Sequence, residues 1–248
     1  MIQDIVITVL PEPQHVQGVF DNILSNKLND TPTGKERLFI DCSTIDVITS
    51  REVASKVTAA GAGRFIDAPM SGGVVGARAA SLTFMYGADD DLKPVVEPIL
   101  LLLGKRAAHM GGQGNGLAAK LANNYALAIQ QIAIAESMNL GIKLGLDGKA
   151  LGELISSSSG SSWSSKVNNP VPGVSPGAPA ERKYAGGFGI NLMRKDLRLA
   201  MTAADEAEIP LLLANRVREL YDEVSKADGH PGGGRDFSVV YDWLLKQE

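Results

Sequence analysis

The longest periodic stretch of the chain runs from about Asn115 to Leu144, where Leu117, Leu121, Tyr125, Ile129, Ile132 and Met138 form an apolar surface at helical spacing. A helix of that length exceeds the ordinary globular range and suits a spine linking two domains. Gly141 and Gly145 loosen its end. It divides the chain into a part where short β-rich runs alternate with helices and a part where only helices are expected, near 147–157, 190–208, 210–226 and 236–246. A serine-rich segment (156–165) and a proline-rich one (170–179) separate these later helices, and Trp163 among the serines favours an ordered, packed loop over a linker.

Ahead of the long helix, strands are expected at 4–10 (closed by Pro11), at Leu38 to Asp41, from Phe65-Ile66 into Asp67-Ala68-Pro69, and at 81–86. Between them fall helices over 14–26, over 90–103, and from Asp46, which can cap it, to about residue 60, where Gly61 and Gly63 stop it. Strands separated by helices predict an α/β fold with a sheet covered on its faces. The expected organisation is a partial Rossmann-type parallel sheet in residues 1–109, then the long linking helix and an all-α C-terminal domain in residues 110–248. A dinucleotide fold ordinarily carries a strand, a G-x-G-x-x-G turn and a helix whose amino end faces the pyrophosphate. No such triplet occurs in the 248 residues, so the nucleotide-binding domain is expected to be incomplete, with a sheet edge left unpaired.

Composition narrows the function classes. A chain of 248 residues that is 44% hydrophobic can bury a sizeable core. Its 24 basic and 28 acidic residues, net charge -4, offer no excess for a nucleic acid backbone or an anionic membrane, and no partner of either kind is expected. The single cysteine, Cys42, excludes an internal disulfide; within Leu38-Phe39-Ile40-Asp41-Cys42 it reads as buried packing, with nucleophilic chemistry the alternative. His15, His109 and His230 lie far apart without ligand spacing, so no metal site is expected. The start, Met1-Ile2-Gln3-Asp4, has neither a basic presequence nor an apolar signal core and reads as cytoplasmic.

Three segments hold residues suited to chemistry. In Asp67-Ala68-Pro69-Met70-Ser71-Gly72-Gly73, just after a strand, successive glycine N–H groups and a serine hydroxyl can converge on a carboxylate; the alternative is an ordinary tight turn. In Gly111-Gly112-Gln113-Gly114-Asn115-Gly116, four glycines admit close approach of a backbone or ligand where the long helix starts, and Lys120 and Asn124 then share a helix face one turn apart. Together they could hold an alcohol or carbonyl oxygen, lysine exchanging the proton and asparagine fixing orientation, unless Lys120 is simply an exposed helix lysine. The third is Gly186-Gly187-Phe188-Gly189 followed by Lys195-Asp196, whose second lysine would neutralise an acid substrate and lower the first one's hold on its proton; surface solubility is the alternative for Arg194, Lys195 and Arg198.

These residues, with Ala135-Glu136-Ser137-Met138-Asn139-Leu140-Gly141, Trp163-Ser164-Ser165 and Asn169-Pro170-Val171-Pro172-Gly173, resemble the β-hydroxyacid dehydrogenase family, in particular its 3-hydroxyisobutyrate branch, through nearly the whole chain. The resemblance implies NAD-dependent oxidation of 3-hydroxyisobutyrate to methylmalonate semialdehyde in valine breakdown, without metal or covalent intermediate. It implies Lys120 as general acid/base, Ser71, Gly72 and Gly73 on the substrate carboxylate, and Asn124 and Lys195 on the substrate. It places Leu10, Pro11, Ser43, Thr44, Phe188 and Lys195 against the cofactor. It further implies a homodimer or homotetramer, and mitochondria. Reduction of a semialdehyde such as tartronate semialdehyde is the alternative reaction, and a truncated, inactive scaffold the alternative to an enzyme.

Overall fold

The computed structural model describes residues 3–26, 32–229 and 234–247; His230 and the Met1-Ile2 start lie outside them. The chain forms two compact units, Met1–Ala122 and Asn123–Glu248, and the boundary falls inside the long helix.

In the first unit, strands β1 (Ile5–Thr8), β2 (Leu38–Asp41) and β3 (Arg64–Asp67) pair in that order, all parallel. Every residue of β2 is buried, as the central strand of a covered parallel sheet requires. Helix α1 (Pro13–Ser25) buries Val16 and Phe20, and the Phe20 ring meets Phe39 and Phe65 edge-on at 5.4 and 5.0 Å. Each such aromatic pair adds about 0.5–1.5 kcal/mol beyond its burial. Asp46 caps helix α2 (Val47–Ala59) by accepting the Thr49 N–H at 2.7 Å, as its position predicts. Strand β1 stands at the edge of its sheet, with Ile5 and Ile7 of one face exposed.

The expected first strand is shorter than its apolar run, and the expected 90–103 helix begins as a 3₁₀ turn (Asp90–Leu92) before α4 (Lys93–Leu101). A second sheet holds two strands that the hydrophobic pattern did not mark. Strand β4 (Met70–Ser71) runs antiparallel to β5 (Leu82–Tyr86), which pairs parallel with β6 (Gly104–His109); the short helix α3 (Gly73–Arg78) lies between β4 and β5. Strand β6 is Gly-Lys-Arg-Ala-Ala-His, with no apolar run to announce it. Its pairing depends on backbone proximity instead: a Cβ on Gly104 would lie 2.3 Å from the Leu82 carbonyl oxygen. A bridge between Asp67 and Gly87 joins the two sheets.

Helix α5 (Asn115–Lys143) matches the sequence expectation closely and crosses from the first unit into the second. At about 1.5 Å per residue, its 29 residues reach about 44 Å. The second unit continues with α6 (Gly148–Ser157), α7 (Trp163–Lys166), α8 (Ile190–Glu206), α9 (Ala214–Asp228) and α10 (Val240–Leu244). Ala128 and Met138 of α5, Met193 and Leu197 of α8, and Tyr221 of α9 share its core with Phe237. The serine-rich segment is ordered, but through a capping box between Ser162 and Ser165; Trp163 itself is half exposed, so it is not the anchor its size suggested. Among the described residues, no helix is long and apolar enough to cross a membrane.

Candidate active site

At the carboxyl ends of β1 and β2, one buried carboxylate ties two loops together. Asp41 Oδ1 accepts from Thr8 Oγ1 at 2.7 Å and from Ser43 Oγ at 2.6 Å, and Ser43 Oγ in turn accepts the Leu10 N–H at 2.8 Å. Burial pushes the Asp41 carboxyl above its usual range, against the opposing bonds from Ser43 and Thr8. The structure thus brings Leu10 and Ser43 together, with Thr44 half-buried beside them and Pro11 exposed. The Leu10 amide and Ser43 hydroxyl are occupied in holding the loops, and Leu10-Pro11 presents an apolar surface. That surface lines a groove of about 530 Å³ with Gln14, His15, Gly18 and Val19 of α1. Ligands of parallel α/β sheets collect beyond the carboxyl ends of the strands, which is where Leu10, Ser43 and Thr44 lie.

Ser71, Gly72 and Gly73 lie in the other sheet. Ser71 is half-buried and pairs with Thr83, while Gly72 and Gly73 take φ of 131° and 59°, a region in which a side chain is strained. Asp67, at the end of β3, is fully buried; it accepts the Gly114 N–H at 2.6 Å and the Leu117 N–H at 2.7 Å. Burial, partly offset by those two bonds, raises its pKa from 3.8 to about 6. The glycine run before α5 does admit a close backbone approach: a Cβ on Gly116 would lie 2.5 Å from the Met85 carbonyl oxygen.

Lys120 and Asn124 are both on α5, one turn apart on the same face. Lys120 is 5% exposed, so the reading as a surface lysine does not hold. In the second unit, Asn124 Nδ2 donates to Asp196 Oδ2 at 2.5 Å, and Asn124 Oδ1 accepts from Asn123 Nδ2 at 3.0 Å. These two bonds fix which end of the Asn124 amide is donor and which acceptor. Lys195, half-buried, is the chain neighbour of Asp196 on α8. Phe188 has other partners: its N–H donates to Asp236 Oδ2 at 2.7 Å and its ring meets Phe237 edge-on at 6.0 Å. Asn168 Nδ2 donates to the other oxygen of Asp236 at 3.0 Å.

Asp67, Asp196 and Asp236, which hydrogen-bond to or beside the candidate residues, were not singled out from the sequence, although Asp67 and Asp196 stand inside quoted motifs. The available signal was an acid inside each glycine-rich or cationic segment, read there as a bystander. Cys42 is buried and its thiol is pushed up to about 12, consistent with packing rather than nucleophilic use. Among the described residues, no group of three or more His, Cys, Asp or Glu side chains is placed to hold a metal ion.

Comparison with known proteins defines the class first. Residues 1–112 match the NAD binding domain of 6-phosphogluconate dehydrogenase, and residues 114–244 match the family described as NAD-binding of NADP-dependent 3-hydroxyisobutyrate dehydrogenase. Both are nicotinamide-dependent oxidoreductases. The chain is 43% identical over 245 residues to the mitochondrial 3-hydroxyisobutyrate dehydrogenase of Drosophila melanogaster, covering 99% of this chain and 73% of the fly protein. It is 45% identical over 214 residues to the Homo sapiens enzyme, covering 86% and 62%. The solved 3-hydroxyisobutyrate dehydrogenase of Mycobacterium tuberculosis with L-serine superposes with a TM-score of 0.87 at 38% identity, covering 97% of this chain and 79% of that one. The chain belongs to the 3-hydroxyisobutyrate dehydrogenase family, a family of NAD(P)-dependent oxidoreductases.

The expectation of NAD is corrected by the family match over residues 114–244, whose description is NADP-dependent. The physical reason is local. NAD and NADP differ at the adenosine ribose, where an acid or an arginine makes the choice. Leu10, Pro11, Ser43 and Thr44, assigned to the cofactor by resemblance, include no acid and no arginine, so they carry no information about that selection.

Proposed function

We propose that this chain oxidises 3-hydroxyisobutyrate, a short acid bearing a hydroxyl on the carbon next to its α position, to methylmalonate semialdehyde with NADP. The observation that carries the reading is Lys120, a buried lysine one helical turn from an amide whose orientation is locked by Asp196. A lysine amine can take a proton from a hydroxyl or return one to a carbonyl oxygen, and its burial beside Asn124 puts that group where such an oxygen could be held.

When bound, the nicotinamide supplies the acceptor for the hydride leaving the carbinol carbon. Lys120 Nζ takes the hydroxyl proton as the carbonyl forms, and returns it in the reverse reduction. Asn124 directs an N–H toward the substrate oxygen. The Ser71 hydroxyl and the Gly72 and Gly73 N–H groups pair with the substrate carboxylate, and Lys195 adds positive charge to the same anion. Leu10, Pro11, Ser43 and Thr44 hold the nicotinamide end, and Phe188 with Lys195 completes the cofactor contacts. Residues 1–109 are assigned to cofactor binding and 110–248 to the helical dehydrogenase domain. L-serine, present in the Mycobacterium tuberculosis structure, is itself a 3-hydroxy acid and supports this substrate class.

The test is steady-state oxidation of 3-hydroxyisobutyrate, L-serine and glycerate with NADP and NAD, with NADPH affinity followed by fluorescence. Lys120→Ala is expected to keep the far-UV spectrum and to lower turnover at least ~100-fold, the usual scale for proton-transfer catalysis. Equal turnover in variant and wild type defeats the assignment, and a folded chain without NADPH affinity favours a scaffold. The mitochondrial names of the fly and human relatives support the same compartment here, tested by cell fractionation. A homodimer or homotetramer is proposed, tested by light scattering.

A further inference from the structure

We propose that Asp67 is a positioning residue: its buried carboxylate acts as a borrowed N-cap for α5 and thereby sets the position of Lys120. The inference rests on the proposed role of Lys120. An N-cap side chain normally accepts the N–H of the third helical residue, and is supplied by the residue just before the helix. Helix α5 starts at Asn115, so the cap position is Gly114 and the third residue is Leu117. Gly114 has no side chain to offer, and at φ +89° it is in a conformation that strains any other residue. Asp67, from the end of β3, fills the role, taking the N–H of the cap residue itself as well as that of Leu117.

Two glycines make room for that carboxylate. A Cβ on Gly87 would lie 2.5 Å from Asp67 Oδ1, and a Cβ on Gly116 would lie 2.9 Å from Asp67 Oδ2. Both positions are therefore restricted to residues that let the carboxylate sit against the helix start. Leu117 and Gly116 are three and four residues before Lys120, on the same helix face. A shift in the first turn is carried directly to the turn that bears the lysine, and misplacement of about 1 Å can cost about 100-fold in rate. The two N–H bonds use both carboxylate oxygens; an asparagine in this place has one acceptor only, so it retains one bond and opposes the other with its own N–H.

The experiment compares Asp67→Asn, Lys120→Ala and the double variant with 3-hydroxyisobutyrate and NADP, together with amide hydrogen exchange. Asp67→Asn is expected to lower kcat about tenfold or more, to change KM for the acid less than about threefold, and to raise exchange over residues 111–121. In the Lys120→Ala background it is expected to lower kcat no further, since the lysine through which it acts is absent. An equal loss in both backgrounds overturns the positioning role while leaving Lys120 in place. Full activity in Lys120→Ala overturns the parent reading and this one with it. Should Asp67→Asn not fold, the wild type decides: the Gly114 and Leu117 amide proton shifts should titrate together with the Asp67 carboxyl carbon, and independence of the three overturns the proposal.

Discussion

Asp196 Oδ2 and Asn124 Nδ2 meet at 2.5 Å with both side chains buried, so a carboxylate on α8 decides which way an amide on α5 faces. Replacing Asp196 by alanine leaves a buried amide donor without its acceptor. That loss costs about 1–3 kcal/mol of stability, to be read from urea denaturation. Asn124 is then held only by the Asn123 amide, and kcat/KM for the hydroxyacid should fall by about tenfold or more, while Asp196→Asn, which keeps an acceptor, should recover most of it. Unchanged stability in Asp196→Ala would show that this bond is not made in solution.

The titration of Asp67 predicts opposite trends in stability and rate. Its pKa rises from 3.8 to about 6 in the fold, with the neighbouring Asp41 contributing in the same direction. The folded state holds this proton more tightly than the unfolded chain does. The contribution of Asp67 to stability is therefore full below 3.8 and is lost as pH rises through about 6. Its capping of α5, however, needs the ionised form. Acidification from about pH 7 to about pH 4 should raise the melting temperature of the wild type relative to Asp67→Asn, and over the same interval the wild type should lose turnover along a limb centred near 6 that Asp67→Asn lacks.

Gly187 should tolerate no side chain. A Cβ there would lie 2.1 Å from Asp236 Oδ2, at a backbone φ of +71°. Gly187→Ala should displace the carboxylate that holds the Phe188 N–H, weakening NADPH binding and costing about 1–3 kcal/mol of stability through strain. Fluorescence titration and thermal melting check the two effects separately; wild-type values in both would remove Phe188 from the cofactor contacts.

Cys42 should resist alkylation. A thiol pushed up to about 12 and buried in β-sheet packing is almost wholly protonated near neutrality. Iodoacetamide should label it only on unfolding, with activity unaffected until then; rapid labelling of the native protein would contradict the placement.

What the sequence made legible was set by local chemistry. Helix α5 was readable because its apolar side chains repeat within one element, and the Asp46 cap because its partner is three residues away. Strand β2 was readable from the apolar run Leu38-Phe39-Ile40. Strand β6 was not, since Lys105 and Arg106 break any apolar pattern and the strand exists by pairing with β5. The candidate residues on α5 were readable as an i, i+4 pair, but their supports were not. Asp67 accepts the N–H of a cap residue 47 residues later, and Asp196 reaches an amide 72 residues earlier. No spacing rule spans such separations, because the partners become neighbours only when the sheet and the helical unit have formed.

The borrowed cap also makes the start of α5 depend on a distant part of the chain. A helix that supplies its own N-cap carries the acceptor in its own sequence; the first turn of α5 draws its acceptor from β3, so that turn is fully satisfied only where β3 and the start of α5 have come together. A nascent or misfolded chain lacking that contact has Lys120 in its sequence but no defined place for it.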